Sequence, residues 1–307
     1  MKKNILYLAV LFVGLAFFTA CSSDGDDVEA PVAPTLHSTP ANEALTLGFS
    51  SSTAPFKEII FSETGKAIIT RNVLTPSSSK RRASDSSEKY VVGTYKTSNN
   101  TYVVSVDGSE YCTVEVTGKT GTKTSVKVSL KSGSDIEATE YEGEASIGQK
   151  VAADEITSNL CREWTVATTR LRHKDGVTAV KQFETSAEAA SLNAILAYAK
   201  TVASIDESFD EDMVITSIEF TADGNFCIFF KDGEHYIGKW SWKDTSKGYL
   251  HYNWNDADMG NQFENGEAVF DVRQYKKVSY YTLTLGADIN SGGKKYTVEL
   301  SFYLNEK

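Results

Sequence analysis

Histidine is scarce in this chain. His37, His173, His235 and His251 are the only four in 307 residues, and none lies at metal-ligand spacing from another His, Cys or acid pair, so no metal site is legible. Also missing are the G-x-S-x-G elbow, the phosphate-cradling P-loop and the dinucleotide glycine fingerprint. Their absence removes the commonest signatures of acyl hydrolases, nucleotide hydrolases and dehydrogenases, and no cofactor is implied. Basic residues are outnumbered by acidic ones, 31 to 41, for a net charge of −10. With no basic stripe, this balance argues against nucleic acid as a partner. The one basic cluster, Ser79-Lys80-Arg81-Arg82, sits in a Ser-rich stretch from Pro76 to Ser87 and reads as an exposed, protease-accessible loop. Acidic runs do occur, at Asp206-Glu207 and Asp210-Glu211-Asp212. They fall in one polar connection, without the contrasting environments that general acid–base work needs or the fixed oxygen spacing of a calcium loop.

Long apolar runs are lacking too, except at the start. Lys2 and Lys3 precede Ile5 to Ala20, which is almost wholly apolar, short for a membrane span and flanked like a secretory signal. Phe18-Thr19-Ala20-Cys21 resembles the bacterial lipobox, with Phe18 where Leu is commonest. The resemblance implies that residues 1–20 are removed and that Cys21 becomes a lipidated N-terminus, an anchor strong enough to hold an otherwise soluble chain. Ser22-Ser23-Asp24-Gly25-Asp26-Asp27 resembles the acidic tract of surface-exported lipoproteins of the Bacteroidota. The localisation so implied is the outer membrane, facing outward, with its periplasmic face as the alternative. Three cysteines then remain, and an odd count leaves at least one thiol over. Cys161 and Cys227, which lie beside neighbouring elements, are the pair to expect if one disulfide forms; buried thiols are the alternative.

Residues 21–42 read as a tether, since Pro31, Pro34 and Pro40 break regular structure. Two β-rich domains follow, over 43–150 and 151–307. In the first, Tyr102–Val106, the turn Asp107-Gly108 and Tyr111–Val116 form a hairpin, and Val126, Val128 and Leu130 alternate in the next strand. In the second, a strand is expected over Leu160–Leu171 around Trp164. Seven more follow, over Ile215–Phe220, Phe226–Phe230, Tyr236–Trp242, Tyr249–Trp254, Ala268–Val272, Tyr280–Leu285 and Tyr296–Leu304. Between the first two, Thr185 to Val202 reads as an amphipathic helix, with Ala189, Leu192, Ile195, Leu196, Ala199 and Val202 on one face and a capping box made by Thr185 and Glu188. The halves also match each other weakly. Ile60–Gly65 aligns with Glu219–Gly224, Tyr90–Tyr95 with His235–Trp240, and Val114–Leu130 with Leu283–Phe302.

Trp164, Phe220-Thr221 with Gly224, and Gly238-Lys239-Trp240-Ser241-Trp242 resemble the pattern of lipocalin-like lipoprotein domains of the calycin type. The likeness covers about Asp154 to Lys307. With the strand patterns of both halves it gives a mainly β fold of two consecutive antiparallel meander or barrel domains, the second lipocalin-like with an inserted amphipathic helix that such small barrels do not typically carry. Closure removes the exposed edges of such a sheet, and a barrel of about eight strands is either filled by side chains or holds one small ligand. Trp240, Trp242, Tyr249, Tyr252 and Trp254 are the binding candidates, because aromatic faces suit a sugar or an apolar ligand; the same residues would also serve as core. The expectation is a non-enzymatic, lipid-anchored binding or accessory protein of the cell envelope, with the membrane, a small ligand and surface proteins as partners. A pilus-type structural protein is the first alternative and an unrecognised hydrolase the second.

Overall fold

The computed structural model describes residues 31–37, 42–72, 90–131, 140–175, 178–186, 214–231, 233, 235–254, 266–291 and 294–307. The fold is mainly β and consists of two consecutive eight-stranded antiparallel barrels. Residues 39–153 form one compact unit and residues 154–307 the other, with the Thr221–Gly224 turn grouped with the first. The expected leader, Cys21, the Ser79–Arg82 cluster and the acidic run 206–212 lie outside the described residues.

The first barrel contains β1 (Leu45–Gly48), β2 (Phe56–Phe61), β3 (Lys66–Arg71), β4 (Tyr90–Ser98), β5 (Thr101–Val106), β6 (Ser109–Thr120), β7 (Lys123–Leu130) and β8 (Glu140–Ile147). Each strand pairs with the next, and Leu47 opposite Ile147 closes the ring. Side-chain alternation explains why this works. In β7, Thr124, Val126, Val128 and Leu130 are buried while the residues between them reach outward, the period-2 pattern of a sheet with one dry face. Leu47, Phe56, Ile59, Phe61, Val104 and Val128 are fully buried in the resulting core. The Asp107-Gly108 turn has both residues at positive φ, 50° and 78°, as a two-residue hairpin requires.

The second unit opens with a short helix, α1 (Glu155–Leu160), followed by β9 (Glu163–Asp175), β10 (Thr178–Ser186), β11 (Ile215–Phe220), β12 (Asn225–Phe230), β13 (His235–Asp244), β14 (Tyr249–Trp254), β15 (Gly266–Tyr275), β16 (Val278–Ser291) and β17 (Lys294–Glu306). Strands β9 and β11 to β17 make the ring, closed by β9 against β17. β10 pairs with β9 from Thr168 to Asp175. There it satisfies backbone groups that β11, paired with β9 over residues 163–165, does not reach.

Two expectations change here. The strand expected from Leu160 begins at Glu163, because Asp154 caps a helix ahead of it, accepting from the Thr157 amide at 2.9 Å. Thr185 does not cap a helix: it pairs with Thr169 in β10, so the edge of β9 outweighs the local capping signal. The remainder of that expected helix, to Val202, lies outside the described residues. Part of the expected tether also has a fixed place. Pro34 and Leu36 are partly buried, and the His37 amide donates to Glu306 Oε2 at 2.7 Å.

At two of the three places where the halves match in sequence, the two barrels have similar turns and contacts. Ser62–Gly65 and Thr221–Gly224 are the same turn, with Gly65 and Gly224 at φ 88° and 84°, each donating its amide to the first residue at 3.1 and 3.0 Å. Beyond the turns, Ala67 pairs with Gly93 and Phe226 with Gly238. Phe61 meets Tyr95 edge-on at 5.0 Å, and Phe220 meets Trp240 edge-on at 5.9 Å. The third match is displaced by one strand. It aligns β6 and β7 with β16 and β17, whereas ring order aligns them with β15 and β16, since Gly-rich turns suit many hairpins and do not specify ring position.

The β15–β16 hairpin turns on Lys276 and Lys277, which have φ of 49° and 66° between the paired Tyr275 and Val278. Left-handed backbone penalises a side chain by about 1 to 2 kcal/mol, partly offset by the greater entropy that glycine loses. Lys277→Gly is therefore expected to raise the stability by about 0.5 to 1 kcal/mol, read as a higher midpoint in urea.

Candidate functional site

The register decides which aromatic residues share the interior of the second barrel. Trp164 pairs with Ile218, Phe226 with Gly238, Trp240 with Tyr252, and Trp242 with Leu250. Trp240 and Trp242 therefore share a face, as expected from parity. Trp240 is 4% exposed and packs edge-on against Phe220 and Trp242, at 5.9 and 5.3 Å. Tyr252 fits over Gly266, where a Cβ would come within 2.1 Å of its ring. Gly238 gives the same room to Phe226. Burial pushes the Tyr252 phenol above its ordinary range. Tyr249 pairs with Val269 and so lies on the opposite, outer face from Leu250. The backbone of Trp254 pairs with Gly238; its side chain lies outside the described set.

Among the described residues, the inward side chains line a half-open cavity of about 50 Å³. Ile218, Phe220, Phe226, Tyr252, Leu283 and Phe302 contribute to its lining. A drug-sized ligand needs about 300 Å³ or more, so the described interior is packed around a space far smaller than that. Of the aromatic candidates, Trp240 and Tyr252 contribute to that packing.

One end of this barrel is closed by polar contacts that sequence reasoning missed. Trp164, fully buried, donates its indole N–H to the Leu160 carbonyl at the end of α1, at 2.9 Å. Trp242 donates to Thr157 Oγ1 at 2.8 Å, and the same hydroxyl donates to Asp154 Oδ1. The buried Trp164 indole and the partly buried Trp242 indole thus each have a partner. Arg162 reaches the carbonyls of Asn159 and Ser158, both at 3.0 Å, pairs with Glu306 at 2.6 Å, and lies 5.7 Å from the centre of the Trp164 ring. Lys307 and Ser217 both donate to Glu163 Oε1, at 2.6 and 2.7 Å. Asp154 before a short apolar-polar run was the readable signal for the cap. No local pattern announces Arg162 with Glu306, which are 144 residues apart.

Beside these contacts lies an open cleft of about 500 Å³, lined in part by Leu36, His37, Trp164, Tyr281, Leu304 and Glu306. Its size suits a ligand, but the chain's own residues 34–37 already form one wall. Among the described residues, no group of three or more His, Cys, Asp or Glu side chains is placed to hold a metal ion, and no helix is long and apolar enough to cross a membrane.

The expected Cys161–Cys227 disulfide is not formed. Both residues are buried thiols, as is Cys112. Cys227 pairs with Glu219, which pairs in turn with Glu163 on β9, so two strand spacings, about 10 Å, separate Cys227 from the strand that follows Cys161. A disulfide needs Cα atoms within about 7 Å. Burial, with Glu110 adding to it, pushes the Cys112 thiol up to about 12.

No protein-family model matches the chain, and no curated protein matches it in sequence.

Two measurements check this geometry. In a Cys21→Ser protein, a thiol reagent at about pH 8 is expected to modify none of Cys112, Cys161 and Cys227 in the native state and all three after unfolding; a bridged pair would leave one. Asp154→Ala is expected to lower stability by about 1 kcal/mol at neutral pH. The Thr157 hydroxyl and amide hold the Asp154 carboxyl below its usual range. Its contribution is therefore complete above the unfolded value of about 3.9 and fades as pH falls through the lower folded value, where variant and parent converge.

Proposed function

We propose that this is a lipid-anchored, non-enzymatic protein of the outer membrane, acting as an accessory or scaffold through partners at its surface. The observation that carries the reading is the packing of the described interior of the second barrel, where Phe220, Phe226, Tyr252 and Phe302 help to line a cavity of only about 50 Å³. A carrier built to enclose a ligand requires several times that space. The anchor rests on the lipobox-like Phe18-Thr19-Ala20-Cys21, and the outward orientation on the acidic residues after it.

Kinship with lipocalin-like domains belongs to the same proposal. In its support, Trp164 stands on the first strand of an eight-stranded meander, Gly224 closes the turn after Phe220, and Gly238 makes room for Phe226 two residues before Trp240. The paired turns and paired aromatic contacts of the two barrels support descent from one duplicated unit. Fold likeness by itself assigns no ligand.

A second reading, a carrier for a small apolar molecule, is favoured by the wholly apolar surface of the central cavity. Native mass spectrometry separates the two. Mature protein with Cys21→Ser, gently purified from its own kind of envelope, is expected to show the polypeptide mass alone. A co-purifying small mass, lost on denaturation, would establish the carrier reading and overturn the filled-scaffold one.

A further inference from the structure

Two strands of the second barrel, β10 and β11, share one edge of the same neighbour. β17 pairs with β9 from Trp164 to Lys174 and so fills one edge of that strand. A strand in a sheet has only two edges to pair. β10, opposite Thr168 to Asp175, and β11, opposite Glu163 to Thr165, therefore lie end to end along the other edge, and both run antiparallel to β9. Ser186 stands opposite Thr168, and Ser217 opposite Thr165. Three steps along β9 thus answer to thirty-one along the chain from Ser186 to Ser217, an excess of 28 residues. When that excess is assigned to 187–214, Ile215 and Thr216 are left to continue the register past Ala167 and Val166, and both already belong to β11. No position of the edge is skipped and none is used twice. β9 carries one extra residue, Ala167, against β17, and β11 carries one, Thr216, against β12. The two irregularities meet at the same level of the ring, where a chain can leave and rejoin a strand with least loss of pairing.

We infer that β10 and β11 are two parts of a single stave of the second barrel, and that residues 187–214 are an insertion into it which the barrel does not need in order to fold and close. Long insertions cost a chain little once their ends are fixed close together, and β9 fixes these ends on one edge. One bond changes hands on removal. The Val214 carbonyl accepts from the Lys231 amide at 2.9 Å, and the Ser186 carbonyl, brought to the same place, can take it over. A role carried by residues 187–214 is thereby separable from the fold.

The test compares three deletions in otherwise full-length Cys21→Ser protein: residues 187–214, which joins Ser186 to Ile215, and the slipped deletions 187–213 and 187–215. All four tryptophans lie from Trp164 onward, so their emission follows the second barrel alone. Removal of 187–214 is expected to keep the native emission maximum, to leave Cys161 and Cys227 closed to a thiol reagent as in the parent, and to preserve slow amide exchange along β9. Each slipped deletion moves β10 by one residue against β11, which turns inward positions outward. Its urea midpoint is expected to fall below that of the in-register deletion by on the order of 1 M. Failure of the in-register deletion to fold would overturn the inference. So would three deletions of equal stability, or a slipped one that is the most stable. The lipid anchor and the packed interior rest on other residues and stand or fall apart from these results.

Discussion

Ten residue pairs between β9 and β17 join the first strand of the second barrel to its last, and the rest of that unit depends on the ring they close. An antiparallel meander left open would present two rows of unpaired amides and carbonyls. Closure abolishes those edges and converts one face of every strand into a common interior. The pleat does the remaining work, because each pairing in register carries an inward residue opposite another inward residue. Trp164 reaches Ile218 in this way, and Trp240 reaches Tyr252. The first barrel obeys the same rule with a shorter seam, Leu47 to Ile147 and Gly48 to Ser146. There the Ser146 hydroxyl adds a bond to the Gly48 carbonyl at 3.1 Å.

A closed ring still has ends, and the second barrel spends its polar side chains on one of them. The α1 helix supplies three carbonyls and a threonine hydroxyl, and two indoles and a guanidinium use them. Removing one partner from such a buried network would leave its neighbour desolvated, which costs more than the bond itself contributed. The network is also where the distant parts of the chain meet. Glu306 ends the last strand and Lys307 follows it, Arg162 precedes the first strand and Glu163 begins it, and His37 comes from residues 31–37.

Packing explains why the aromatic residues that look like a binding surface belong to the core. Large rings fill a barrel only where small residues face them, and Gly238 opposite Phe226 and Gly266 opposite Tyr252 provide that alternation of large and small. Once these gaps are filled, the cavity that the described side chains line is too small for a ligand of ordinary size. The weight of the functional reading then passes to the surface and to the manner of attachment.

Much of the architecture was legible because period-2 alternation and turn dipeptides are local. Val126, Val128 and Leu130 announced β7, Asp107-Gly108 announced its hairpin, and Gly238-Lys239-Trp240-Ser241-Trp242 announced β13 with both indoles on one face. Local signals failed where a distant strand competed with them: Thr185 carries a capping pattern yet joins β10, because the upper edge of β9 needs a partner. They were silent on the Cys227 to β9 separation and on the bond between Arg162 and Glu306, which exist only after eight strands have closed. By itself the sequence determined the β class, the turns, the parity of the aromatic residues and the leader-like start, all of which act over a few residues. How the described interior packs, which strands close the ring and where residues 31–37 are held were decided by the tertiary structure, since volume, closure and long-range pairing are properties of the ring and not of any segment within it.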